Sequence, residues 1–198
     1  NVPGSIGCWR GCTLDRAVSN FESFKNHVSV LFWSLGNESY AGDILVEMNR
    51  YYKEKDPDRL VHYEGVAENR PYEDLISDME SQMYAPPEKI KEYLENNPKK
   101  PFILCEYMHD MGNSLGGMES YIRLLDQYED YQGGFIWDYI DQALFVKDEV
   151  TGRDVLRYGG DFDDRPSDYE FSGNGILFAD RTEKPAMQEV RHYYGLRR

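Results

Sequence analysis

Residues 28–39 read VSVLFWSLGNES, and the architecture turns on that stretch. Its first eight residues are apolar nearly throughout, too few for a typical helix and suited to a strand buried on both faces. The turn that follows, Gly36-Asn37-Glu38-Ser39, carries a carboxylate directly at the strand's carboxyl end. Behind Asp43 a helical period resumes on Ile44, Leu45, Met48, Tyr51 and Tyr52. Asp56-Pro57 stops it, and residues 60–63 (LVHY) are again strand-like. Strand, helix, strand is the order of a parallel crossover unit.

The same alternation extends outward in both directions. Upstream, Leu14, Ala17, Val18, Phe21 and Phe24 sit at helical spacing behind Thr13 as an N-cap, which predicts a helix over 13–26. Downstream, residues 79–84 form a short strand, and Pro86-Pro87 opens a helix through Ile90, Tyr93 and Leu94. Residues 101–105 (PFILC) are a second fully apolar run that delivers Glu106 at its end. A glycine-rich turn and a helix on Met118, Tyr121, Leu124, Leu125 and Tyr128 follow. Residues 135–140 (FIWDYI) are the last strand, flanked by Gly133-Gly134 and by a long acidic loop over 141–174. A closing helix uses Ala186, Val190 and Tyr193. Five strands, all read as parallel, make the fold class α/β: an open doubly wound sheet or part of a (β/α)₈ barrel. No G-x-G-x-x-G or G-x-x-x-x-G-K motif follows a strand, which removes the sequence argument for a nucleotide-binding sheet.

Composition agrees with a packed domain. The 198 residues are 40% hydrophobic and 14% aromatic, too rich in large apolar side chains for disorder, and no repeat or Ser/Gly linker divides them, so residues 1–198 read as a single unit. A net charge of −14 argues against a nucleic-acid partner. No run approaches 18 apolar residues, and the first residues lack the order of a secretory signal, so neither membrane nor export is expected. Three cysteines, Cys8, Cys12 and Cys105, are an odd number, which suits structural thiols in a reducing, cytoplasmic setting.

In β/α folds chemistry sits at the carboxyl ends of strands, and Glu38 and Glu106 both stand there. Either carboxylate alone reads more simply as a solvated strand cap. Two on separate strands of one sheet are the minimum equipment for glycosidic bond hydrolysis by an acid and a nucleophile or base. The run Asp161-Phe162-Asp163-Asp164 lacks the spacing of a calcium loop and is read as a solvated acidic turn. His62 and Glu64, at the end of LVHYEG, are a structural strand end or, less simply, a pair of metal ligands.

Four segments, SLGNES (34–39), ILCEYMHDMGNSLGG (103–117), QGGFIWDYIDQ (132–142) and YGGDFDDRPSD with NGILFADR (158–181), together resemble the catalytic barrel of family 2 β-galactosidases. The resemblance covers nearly the whole chain. It implies an incomplete (β/α)₈ TIM barrel of about the last five β/α units, with the first strands and flanking β-domains lying outside this sequence. It implies a retaining hydrolase of terminal β-D-galactose residues, lactose-type substrates included, with Glu38 as acid/base and Glu106 as nucleophile. Asn37 resembles the residue that bonds the sugar 2-hydroxyl, Tyr84 the tyrosine that hydrogen-bonds the nucleophile, His109 (in E-Y-x-H) a galactose contact, and Trp137 the aromatic floor beneath the sugar. By residue type alone Tyr84, His109 and Trp137 read as packing residues. Phe171 and Asn174 in FSGNG match a loop holding Na⁺ through a backbone carbonyl and a side-chain oxygen, with Asn174 also counted at the sugar. Glu38 matches one Mg²⁺ ligand, the others being expected in an E-x-H segment upstream of Asn1. The partners implied are the β-galactoside, the remaining domains of a parent enzyme, and further copies in a homo-oligomer. The alternatives are another family 2 β-glycosidase, a glucuronidase or mannosidase, and a non-catalytic carbohydrate-binding or structural fragment.

Overall fold

The structure, a computed structural model, describes residues 2–195. It divides into two compact units, one holding the residues through Cys105 with Tyr128–Gln132, the other Glu106–Gln127 with the residues from Gly133 onward.

In the first unit, α1 (Arg10–Phe24) presents Ala17 and Phe21 to the core. It starts earlier than its sequence period predicts, and Thr13 is an interior residue rather than the cap. A 3₁₀ turn over Gly7–Trp9 runs straight into it, with the Arg10 N–H donating to the Gly7 carbonyl. β1 (Phe32–Ser34) is shorter than the apolar run 28–35 that announced it. Val30 donates to the His27 carbonyl at 3.1 Å in a turn that leaves Val28 93% and Leu31 75% exposed. The cause is distant in sequence: the Arg59 guanidinium donates to the carbonyls of Lys25 (3.2 Å) and His27 (3.3 Å), holding the chain in a turn before the strand begins.

α2 (Asp43–Lys55) follows the predicted period and buries Ile44, Leu45, Met48 and Tyr52. It returns the chain to β2 (Leu60–His62), which pairs parallel to β1 in the register Trp33↔Val61. Trp33 stacks on Tyr52 with ring centroids 5.3 Å apart, while Phe21 lies 5.5 Å from Trp33, so α1, β1 and α2 meet through three aromatic rings. Beyond β2, Asp78 and Ser77 stand in for strand pairing. The Val61 N–H donates to Asp78 Oδ2 (2.6 Å) and the Tyr63 N–H to Ser77 Oγ (3.1 Å). A short helix α3 (Glu73–Ile76) precedes them, then β3 (Glu80–Met83) and α4 (Pro87–Glu95), whose Ile90 and Leu94 are buried as predicted.

The next sheet has the order β3-β4-β5, with β4 at Phe102–Tyr107 and β5 at Tyr131–Ile136. β4 runs further than the apolar run, so Glu106 lies inside the strand's last residues instead of after it. β5 lies earlier than the run 135–140: it ends before Trp137, and Gly133 and Gly134, read as flanking the strand, are part of it. α5 (Met118–Gln127) and α6 (Met187–Gly195) contribute Met118 and Val190 to the second unit's core with Ile176 and Leu177. Leu177 also forms a parallel bridge with Ile140.

The loop expected over 141–174 contains an antiparallel hairpin, β6 (Leu144–Lys147) with β7 (Asp154–Arg157), which adds two strands to the five expected. Its acidic residues are turn formers. Asp148 Oδ2 accepts from the Thr151 N–H (2.8 Å) and hydroxyl (2.6 Å), and Gly152 follows at φ +67.

Candidate active site

Glu38 stands in the bend behind β1, exposed, with a left-handed φ of +51 that non-glycine residues rarely adopt. Its N–H donates to Glu64 Oε1, and the Tyr63 hydroxyl donates to the next carbonyl, that of Ser39. Glu38 lines an open cavity of about 290 Å³ with Glu64, Gly65, Ala67, Glu68, Gln82 and Met83. Asn37 precedes it in the same exposed bend, its carbonyl accepting from Ser39 Oγ at 3.2 Å. Tyr84, also in the first unit, follows β3 directly at φ +51 and is 39% exposed.

Glu64 is only 6% exposed, and its Oε2 has no hydrogen-bond partner. Burial raises its pKa above the usual carboxylate range, with the nearby Glu38 charge adding to the shift and backbone N–H donors opposing it. His62 is no metal ligand in this arrangement. Its Nδ1 lies 3.0 Å from Ser34 Oγ and its Nε2 2.7 Å from Ser81 Oγ, so both nitrogens are engaged across β1, β2 and β3. Burial pushes its pKa down to about 4, leaving it neutral at physiological pH. Among the described residues no cluster of three or more His, Cys, Asp or Glu side chains is arranged to hold a metal ion. Cys8 and Cys12 are exposed, and no cysteine is in a disulfide.

The second unit assembles the other predicted residues. Glu106 is half-buried near the end of β4. The Trp137 N–H donates to the Tyr107 carbonyl (3.0 Å), and the Trp137 carbonyl accepts from the Asp110 N–H (2.9 Å), which ties the tryptophan to the segment behind Glu106. The His109 ring meets Phe171 edge-on, with centroids 5.3 Å apart. The Phe171 carbonyl accepts from Asn174 Nδ2, and the Asn174 carbonyl accepts from the Asp138 N–H at 2.8 Å. His109, Trp137, Phe171 and Asn174 therefore share one network.

Two features of this unit escaped the sequence reading. Lys184 donates to Asp141 Oδ1 (2.8 Å) and to the Gly173 carbonyl (3.2 Å), and Asp141 Oδ1 also accepts from the Gly175 N–H (2.8 Å), bracing the loop that carries Asn174. Asp110 is buried with Oδ2 unpartnered, and burial raises its pKa despite the opposing pull of Lys184. Lys184 lies 43 residues from Asp141, a distance at which no local pattern signals a pair.

The family profile "Glycosyl hydrolases family 2, TIM barrel domain" matches residues 1–197. This chain belongs to glycosyl hydrolase family 2. Within that family it is 73% identical over 195 residues to the β-galactosidase large subunit of Latilactobacillus sakei, and 69% identical over 196 residues to that of Lactobacillus helveticus. These alignments cover 98% and 99% of the chain, which spans 31% of the length of either relative. Among solved structures, a Lactobacillus rhamnosus β-glucuronidase matches with a TM-score of 0.60 over 93% of this chain and 35% of its own, at 18% identity. That likeness speaks for the family 2 fold alone, and it agrees with the expectation of a partial TIM barrel.

The cations implied by the family resemblance can be tested against the residues present. Asn174 Oδ1 is buried without a hydrogen-bond partner, an oxygen that fits a monovalent cation, while Nδ2 of the same amide donates to the Phe171 carbonyl. Glu38, exposed on its cavity, fits as one oxygen ligand of a hard divalent ion. Among the described residues no helix is long and apolar enough to cross a membrane.

Proposed function

We propose that this chain supplies both catalytic carboxylates of a retaining β-galactosidase, and that it acts on terminal β-D-galactosides within a larger enzyme. The observation that carries the reading is the sequence itself: Glu38 and Glu106 stand at strand ends of a chain 73% identical to a β-galactosidase large subunit. The remaining domains, further copies of the chain and a cytoplasmic setting belong to the same proposal. The glucuronidase alternative draws on likenesses at 18% identity, too distant to bear on substrate.

In the first step a Glu106 oxygen attacks the anomeric carbon while the Glu38 carboxyl proton passes to the departing glycosidic oxygen, giving a galactosyl ester on Glu106 and a free alcohol. In the second, Glu38 takes a proton from water as the water oxygen bonds the anomeric carbon, and Glu106 leaves as carboxylate. Asn37 bonds the 2-hydroxyl, where contacts strengthen in the transition state, and Tyr84 donates to the nucleophile. Trp137 offers an aromatic face to the apolar side of the pyranose, and His109 bonds a ring hydroxyl. When bound, Mg²⁺ at Glu38 and Na⁺ at the Phe171 carbonyl and Asn174 Oδ1 would supply positive charge near the acid and a seat for a sugar hydroxyl oxygen.

The test uses the full-length enzyme that carries this chain. A 2-deoxy-2-fluoro-β-galactoside with an activated leaving group should label Glu106, located by peptide mass mapping. Azide should rescue Glu38→Gln to a β-galactosyl azide and Glu106→Gly to an α one. A label on another residue, or the opposite azide stereochemistry, would refute the assignment. Comparing galactoside, glucuronide and mannoside hydrolysis separates the β-glycosidase alternatives, and no turnover of any of them supports the binding or structural one.

A further inference from the structure

Three consecutive residues behind β2 meet the turn that carries Glu38. The Tyr63 ring is fully buried, and its hydroxyl donates to the Ser39 carbonyl. Glu64, also buried, accepts the Glu38 N–H on Oε1. A Cβ added to Gly65 would stand 2.7 Å from the Ser39 carbonyl oxygen and 2.6 Å from the Tyr63 ring, so the close passage of the two segments requires glycine there. The bonds fall on either side of the Glu38 α-carbon, one on its own N–H and one on the carbonyl of the following residue. Glu38 itself is held at φ +51, a conformation that persists only where its surroundings impose it.

We propose that Tyr63, Glu64 and Gly65 form a clamp that sets the position of Glu38 as the acid/base. Tyr63 and Glu64 are positioning residues: neither exchanges a proton with substrate, and each acts through the backbone of the Glu38 turn. The inference rests on the reading of Glu38 given above. An acid must lie within hydrogen-bond reach of the departing oxygen, and a displacement of about 1 Å is enough to cost roughly a hundredfold in rate. That cost falls on substrates whose leaving group needs the proton. A dinitrophenolate departs without one, so the clamp matters little to it.

The experiment measures kcat/KM of the full-length enzyme on methyl β-galactoside and on 2,4-dinitrophenyl β-galactoside for Glu64→Leu, Glu64→Gln, Tyr63→Phe and Glu38→Gln. Glu64→Leu should lose roughly a hundredfold on the methyl glycoside and only about threefold on the dinitrophenyl one. Glu64→Gln retains an oxygen for the Glu38 N–H and should recover most of the loss on the methyl glycoside. Tyr63→Phe deletes a single hydroxyl and should show the same split, and it carries the test if Glu64→Leu fails to fold. Equal losses on both substrates would mark the residues as merely structural and overturn the clamp, as would no loss on either. Glu38→Gln without the split would refute the reading of Glu38 and the clamp with it. A split in Glu38→Gln that the Glu64 and Tyr63 variants lack overturns the clamp alone.

Discussion

Acid should destabilise the first unit through His62. The ring is 5% exposed and held between Ser34 and Ser81, and burial alone lowers its pKa from 6.5 to about 4. Between those values the unfolded chain binds a proton that the folded chain refuses, so stability falls as pH falls. The slope approaches 1.36 kcal/mol per pH unit, about 3 kcal/mol over the whole window and about 2 kcal/mol between pH 7 and pH 5. Glu64 and Asp110 act with the opposite sign. Burial raises both carboxyls, so the stability they cost is fully present above their folded pKa values and relieved as they protonate. The His62 contribution must therefore be isolated by difference. In His62→Gln the amide can engage both serines without titrating. Urea unfolding followed by the fluorescence of Trp33, which is buried in the same core, gives the free energy at pH 7 and pH 5 for each protein. The wild type should lose about 2 kcal/mol more than the variant over that interval. Equal losses would refute the argument, as would an NMR titration placing the folded His62 above pH 6.

Gly175→Ala would put a Cβ 2.3 Å from the Asp141 nitrogen. Overpacking against backbone should cost about 2 kcal/mol or more in unfolding free energy, and it should raise KM for galactosides by displacing the loop of Asn174. Lys184→Met leaves the half-buried Asp141 without its cation and should lower stability by about 2 kcal/mol, readable as a drop in urea midpoint. Asn174→Ala should abolish the dependence of KM on Na⁺ while a control salt effect persists; a retained Na⁺ response would move the cation elsewhere. Ile90→Ala, at a fully buried position of α4, should cost about 3 kcal/mol with kcat unchanged.

The parts of the fold that could be read from sequence are those whose causes are local. Ile44, Leu45, Met48 and Tyr52 repeat at helical spacing and are buried together, and Ile90 and Leu94 do the same behind Pro87. The errors have distant or backbone causes. The run 28–35 is apolar nearly throughout, yet Arg59, some thirty residues away, bonds the carbonyls of Lys25 and His27 just before it, where the chain turns and the strand has not begun. The acidity of 141–174 suggests a loop throughout, whereas Asp148 and its neighbours form the turn between LFVK and DVLR. For the proposed site, strand-end logic nominates Glu38 and Glu106 from the residues themselves. His109, Trp137, Phe171 and Asn174 came from family resemblance, since nothing in their spacing foretells that a carbonyl 62 residues from His109 belongs to the ring packed against it.

Several buried or half-buried polar groups stand next to the segments that carry the proposed chemistry. Glu64 sits beneath the Glu38 turn with one oxygen unpartnered, Asp110 is tied to Trp137 by a backbone bond, and Lys184 and Asp141 brace the Asn174 loop. For stability alone, apolar residues of similar volume would serve as well or better at such positions, because a buried carboxyl with a free oxygen carries its desolvation cost uncompensated. What a charged or amide side chain can do and a leucine cannot is accept or donate a bond to one chosen backbone atom. That is how a loop end acquires a single position, and an acid that must meet a departing oxygen needs one. The raised carboxyls and the tight glycine contacts at Gly65 and Gly175 are then two expressions of the same requirement, namely that turns at strand ends be held in one position by the segments packed against them.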